Sequence, residues 1–341
     1  MMRMKILIYR KDNIGDLVLT LPLVFSLRAS FGECEIDAFT SSYSRAVAEH
    51  CPVFRTVYAY RKSKHLRGWA KLRALLDRLV VILKLRENRY DLLIFPGNLG
   101  QNKNRWVVRI INAQRSVGFF DEPPLGPSRL PAKFTAVPNR KTNRQAEWRE
   151  ILRLSVALRV NLLEPPEPPY LELRTKSAAD QPIVVGIHLS ARRPSQRWAR
   201  AHFFELIQGV LKLNPQIKIV VTWSPGTSSN PVHPGDDEAA KSLRQLFLEE
   251  SRVEFHSSQS LDDLLAIQRR LTALITPDGG AMHCAAALGI RCVALFGDSD
   301  PKRWAPVGRA HILLQGSSGH VDSIQPEQVL AALSKVLYSS L

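Results

Sequence analysis

At 341 residues the chain is longer than one ordinary hydrophobic core and suits two. Its composition, 45% hydrophobic and 23% charged, excludes a disordered or low-complexity polymer. The net charge of +16 is lopsided: residues 1–170 hold 29 Lys and Arg against 15 Asp and Glu, so this half is the one expected to meet an anionic partner.

The chain opens MMRMKILIYRKDNIGD. This start is basic, but its apolar stretch is short and lacks a small-residue cleavage site, so residues 5–9 predict a first strand and not a signal peptide. A helix is expected from the following turn to about Ala29, then strands at 35–40 and 53–58. Residues 64–89 carry helical periodicity, with Leu66, Trp69, Leu72, Leu76, Leu79 and Leu83 on one side. A buried strand at 91–95 ends at Pro96 and Gly97. Residues 121–144 are basic and rich in proline and read as a long loop, followed by a helix over 143–160. No apolar run approaches the ~18 residues needed to span a bilayer. Cys34, Cys51, Cys284 and Cys292 show no metal-ligand spacing and read as reduced core residues of a cytoplasmic protein.

Pro165, Pro166, Pro168 and Pro169 mark a stiff linker. Beyond it strands are expected at 183–189, 217–223, 273–276 and 291–296, with helices at 201–213, 238–249, 261–270 and 281–288. Strand and helix alternate in both halves, which predicts two doubly wound parallel sheets binding ligands at the carboxyl ends of their strands.

Three connections carry candidate chemistry. In ALITPDGGAMHCAAALGIRCVALFGD, Gly279 and Gly280 would let the backbone approach a ligand at a helix start, where free N–H groups suit a diphosphate; His283 would add a hydrogen bond. An ordinary turn, with Asp278 as helix cap and His283 as a surface residue, gives the same letters. In SARRPSQRW, Arg192, Arg193 and Arg197 lie in one strand-to-helix connection, either a phosphate clamp or a solvated loop. In RKDNIGD, Asp16 follows Gly15 at a helix start, either as a base for a hydroxyl or as a partner of the helix dipole. No P-loop, HExxH or GxSxG motif is present, and Asp298-Ser299-Asp300 reads as a turn and not a metal site.

Together RKDNIGDLVLTLPLVFSLR, GIHLSARRPSQRWARAHFFELI and LITPDGGAMHCAAALGIRCVALFGDSDP resemble, in order and spacing, glycosyltransferase family 9, the lipopolysaccharide heptosyltransferases. The resemblance implies an α/β GT-B fold, with two Rossmann-like domains facing each other across a cleft. Residues 1–163 would hold the acceptor, 164–180 the linker and 181–324 the nucleotide sugar, while 325–341 would form a helix packing back on the first domain. It implies inverting, metal-independent transfer from ADP-heptose without a cofactor. Asp16 would be the general base, and Asn13, Gly15 and Lys64 would lie near the acceptor. Asp278, Gly279, Gly280, Ala281 and His283 would hold the donor diphosphate, with Arg193 or Arg197 supplying positive charge where this chain has Gln196 in place of the family's usual lysine. The donor ribose would go to Asp236, Asp237 or Glu238, with Asp237 favoured. The expected partners are the donor, an anionic lipid-linked saccharide and a peripheral contact with the inner membrane, and a monomer is expected. Lys62, Lys64, Arg67, Lys71 and Arg73 beside the 64–89 stripe would steer such a contact, unless the stripe is a core face. Alternatives are a nucleotide-sugar epimerase, a nucleotide-binding relative without transferase activity and a nucleic-acid binder. The last is disfavoured because no recognition motif accompanies the charge.

Overall fold

The computed structural model describes residues 3–63, 66–98, 105–120, 134–138, 146–158, 163–172, 182–230, 234–308 and 311–338. The chain separates into two compact units, Met1–Pro166 and Glu167–Leu341, dividing within the proline-rich stretch.

The first unit runs β1 (Lys5–Arg10), α1 (Ile14–Val18), α2 (Leu21–Phe31), β2 (Glu35–Ser41), α3 (Arg45–Glu49), β3 (Phe54–Tyr60), α4 (Gly68–Glu87), β4 (Leu92–Asn98), α5 (Arg105–Ile111), β5 (Arg115–Phe120), β6 (Phe134–Pro138), α6 (Glu147–Leu152) and α7 (Leu154–Leu158). All six strands pair in parallel in the order β3-β2-β1-β4-β5-β6. The central strand β1 buries Ile6, Leu7, Ile8 and Tyr9, as expected of a parallel strand covered on both faces. Tyr9 stacks on Phe39 at 4.7 Å and meets Phe95 at 5.1 Å. The chain builds outward from β1 on one side, then returns to its other side with β4. The β1/β4 junction is therefore a topological switch point.

The helix expected to run unbroken to Ala29 is two helices, separated at Leu19 and Thr20, with Pro22 in the first turn of α2. The stretch Ile14–Phe31 is in fact apolar enough by length and composition to cross a membrane, but more than half of it is buried within the fold. Part of the expected 121–144 loop is strand β6, and the helix expected over 143–160 breaks at Arg153 into α6 and α7. On α4 the predicted stripe faces solvent: Trp69, Leu72, Leu76, Leu79 and Leu83 are exposed, while Ala74, Ile82 and Leu85 are buried.

The second unit runs β7 (Val184–His188), α8 (Arg200–Leu213), β8 (Lys218–Trp223), α9 (Asp237–Leu246), β9 (Val253–Ser257), α10 (Leu261–Gln268), β10 (Ala273–Pro277), α11 (Gly280–Ala287), β11 (Arg291–Phe296), α12 (Pro301–Trp304), β12 (Ile312–Gln315) and α13 (Pro326–Tyr338). Its parallel order is β12-β11-β10-β7-β8-β9, so the switch point lies between β7 and β10. Val185, Ile187, Ile219, Val221, Ile275 and Val293 form its core with Trp198 and Phe203, and α13 adds Val329, Leu333 and Val336. Cys34, Cys51, Cys284 and Cys292 are all buried, and none forms a disulfide.

Candidate active site

In the second unit the connections after β7 and β10 meet at the switch point. A short turn, Pro194–Gln196, precedes α8 and carries the Gln196 side chain inward. Gln196 is buried, and its Nε2 donates to Asp278 Oδ2 at 2.8 Å and to Ser299 Oγ at 3.1 Å. Ser299 Oγ donates to the same Asp278 oxygen at 2.6 Å. One carboxylate thus ties three strand-end connections together. Gly297 permits the close approach, because a Cβ there would collide with the Ser195 carbonyl.

Asp278 does not cap the following helix. Gly279 is the N-cap of α11, in extended backbone, and nothing lies within 4 Å of where its Cβ would be. The backbone from Gly279 through Gly280 to Ala281 is therefore approachable at the positive end of a helix dipole. His283, read alternatively as a surface residue, is buried in the second turn of this helix, its N–H donating to the Gly279 carbonyl at 3.3 Å.

The two candidate arginines have separate partners. Arg193 Nη1 pairs with Asp298 Oδ1 at 3.2 Å. Asp298 also accepts from Ser195 Oγ at 2.8 Å, and this hydrogen bond with the nearby Arg193 charge holds its carboxyl below the usual range. Asp300 accepts from Lys302 N and caps α12. Arg197 donates through Nε to the Ala191 carbonyl at 3.0 Å and through Nη1 to Asp236 Oδ1 at 3.1 Å. Its buried Nη2 has no hydrogen-bond partner among the described residues.

Arg197 borders a cavity of about 410 Å³ at the starts of α8 and α9, lined also by Leu189, Trp198, Arg200, Asp236 and Glu238. Burial pushes the Asp236 carboxyl upward, opposed by hydrogen bonding from Ser190 and by the Arg197 charge. Asp237, favoured from sequence as the ribose acid, does not line this cavity. Its Oδ1 accepts from Trp223 Nε1 at 2.8 Å and its Oδ2 from Gly226 N at 2.8 Å, which pins the connection after β8.

In the first unit the turn after β1 presents Asp16. Its Oδ1 accepts from Arg10 Nη2 at 2.9 Å and its Oδ2 from Asn13 N at 2.9 Å. Asn13 is the N-cap of α1 and Gly15 lies in its first turn, receiving Leu19 N–H at its carbonyl. Each carboxylate oxygen keeps a lone pair beyond these bonds. Arg10 is 4% exposed and also reaches Asp12 Oδ2 at 3.4 Å, while Lys62 Nζ donates to the Asp12 carbonyl at 2.6 Å. The switch-point neighbour approaches closely here too: a Cβ on Gly97 would lie 3.3 Å from Asp12 Oδ2. Lys64 lies outside the described residues. Sequence reasoning missed Arg10, Gln196 and Ser299. Arg10 opens the RKDNIGD motif and Gln196 stands in SARRPSQRW where the family usually has lysine, so both lay within quoted motifs without a role, and Ser299 left no signal beyond its turn.

Two parallel doubly wound units, each offering polar groups at its strand carboxyl ends, define a GT-B-like α/β protein. The model of glycosyltransferase family 9 (heptosyltransferase) matches residues 78–330, and the chain belongs to that family and is a glycosyltransferase. It is 21% identical over 354 residues to lipooligosaccharide heptosyltransferase 2 of Haemophilus influenzae, covering 94% of this chain and 91% of that one. Among solved structures it is similar to E. coli heptosyltransferase WaaC with ADP, at a TM-score of 0.78 and 16% identity over 98% of this chain and 100% of the other. The same enzyme with ADP-2-deoxy-2-fluoro heptose gives 0.77 and 18%, over 97% and 99%.

Proposed function

We propose that this glycosyltransferase moves a heptose from ADP-heptose onto a hydroxyl of an anionic lipopolysaccharide-core saccharide, inverting the anomeric centre in one displacement with no metal and no cofactor. Asp16 accepts the proton of the acceptor hydroxyl as its oxygen bonds to the anomeric carbon. The bond from that carbon to the donor phosphate oxygen breaks, and its electron pair leaves with ADP. The growing negative charge on the diphosphate is met by the backbone N–H groups of Gly279, Gly280 and Ala281 at the start of α11, with His283 and the Arg197 guanidinium as further donors. The cavity beside Arg197 takes the nucleoside end, with Asp236 as the acid for the ribose.

Family membership and the ADP-containing relatives support the donor class. The lipooligosaccharide relative and the basic first half support the acceptor class. The observation that carries the base assignment is the Asp16 carboxylate, anchored by one bond to each oxygen from Arg10 and Asn13 while retaining open lone pairs at the carboxyl end of β1. Asp16→Asn keeps the shape but removes the base. It should lower kcat by about 100-fold or more while leaving ADP affinity within about twofold. Turnover within a few-fold of wild type would assign the base to another group.

A further inference from the structure

Helix α4 is apolar on two faces. Inward, Ala74, Ile82 and Leu85 are buried, and Arg78 fixes the same side. The Arg78 guanidinium lies over the Tyr60 ring at 4.5 Å and the Trp106 ring at 5.2 Å, and Nη2 donates to Tyr9 Oη at 3.0 Å. Outward, Trp69, Leu72, Leu76, Leu79, Val80 and Leu83 recur at intervals of three and four residues and are exposed, Trp69 at 85% and Leu76 at 53%. A helix of a folded protein ordinarily needs one apolar stripe, so the second marks a surface that meets something.

The flanking charge indicates what it meets. From Arg67 to Glu87 there are six cations, Arg67, Lys71, Arg73, Arg78, Lys84 and Arg86, against two acids, Asp77 and Glu87. Arg67, Lys71, Arg73 and Lys84 are exposed beside or at the end of the stripe. A second copy of this helix would bring like charges together, whereas an anionic lipid surface complements both the apolar stripe and its basic borders. Trp69 at the helix start has the amphipathic ring favoured at headgroup level.

We infer that α4 is a peripheral membrane-docking helix. It lies in the plane of an anionic bilayer surface with Trp69, Leu72, Leu76, Leu79 and Leu83 entering the headgroup–acyl boundary. This stands independently of the transferase reading, since it uses no residue of the candidate active site.

The test is sedimentation of the full chain with vesicles of phosphatidylethanolamine and phosphatidylglycerol, compared with phosphatidylcholine alone. The chain should pellet with the anionic vesicles, weaken as salt rises and stay soluble with phosphatidylcholine. Leu76→Glu combined with Leu79→Glu changes only exposed positions and should weaken vesicle binding at least about tenfold. Trp fluorescence should shift blue on binding in the wild type and much less in Trp69→Phe. No pelleting of the wild type, or equal pelleting of the double variant, overturns the proposal. So does a lipid-free wild-type dimer that the double variant converts to monomer, because the stripe is then covered by a second copy.

Discussion

Asp236 and Asp237 are adjacent, yet they hold different partners. Asp237 has both oxygens occupied by Trp223 Nε1 and Gly226 N, so its task is to fix the connection after β8. Asp236 lines the cavity, and its buried Oδ2 has no hydrogen-bond partner among the described residues. Asp236→Asn should therefore weaken ADP binding by about tenfold, the size of a lost charge-assisted hydrogen bond. Asp237→Ala should cost ~1–3 kcal/mol of stability, read by urea unfolding, with a smaller change in ADP affinity by calorimetry. The reverse ranking in ADP affinity would return the ribose to Asp237. The family resemblance, which implies an acid after the strand ending at Trp223, narrowed the choice to three consecutive acids. It could not separate them, because what distinguishes Asp237 is an indole 14 residues earlier. Gln196 was hidden for the same reason: it stands where a cation was sought, and its partners are 82 and 103 residues away.

At the scale of elements, strands with strong apolar runs were legible, and so was the edge strand β3, whereas β5 and the edge strands β6, β9 and β12 were not. β1, β4, β7, β10 and β11 are central or nearly so and read directly. The edge strands β9 (VEFHS) and β12 (ILLQ) are only partly buried and only five and four residues long, so their alternation or apolar run is too short to stand out. The stripe of α4 was visible but its direction was not, since an outward apolar face has the same period as an inward one. β7 also contains a titratable core residue. His188 Nδ1 is 2.9 Å from Thr222 Oγ1, and burial pushes the imidazole down to about 4. An unfolded histidine titrates near 6.5. Between these values the unfolded chain binds more protons than the folded one, so stability falls as pH drops from about 6.5 to about 4 and this contribution levels off below. The loss amounts to about 3 kcal/mol across the window. His188→Asn should flatten that dependence when urea unfolding is followed across the same pH range. An unaltered slope would show that other groups govern it.

For the molecule as a whole, each unit closes its own core around a six-stranded parallel sheet, and the candidate residues are divided between the two. The charge is divided too: nearly all the excess of cations lies before residue 171. Under the proposed function ADP touches only the second unit, while an anionic acceptor or a lipid surface concerns the first. Ligand that binds only the folded form slows the opening of the region it holds, by up to about 100-fold when present at 100 times its Kd. Amide exchange of the intact chain with saturating ADP should therefore slow at residues 189–199 and 278–287, where the Gln196–Asp278–Ser299 junction and the start of α11 lie. Exchange in β1 and in the turn carrying Asp16 should change little. UDP and GDP at equal concentration should protect these segments less than ADP, since the proposed donor is adenine-linked. Protection that begins in the first unit, or that is equal for all three nucleotides, would overturn the assignment of an ADP station to the second unit.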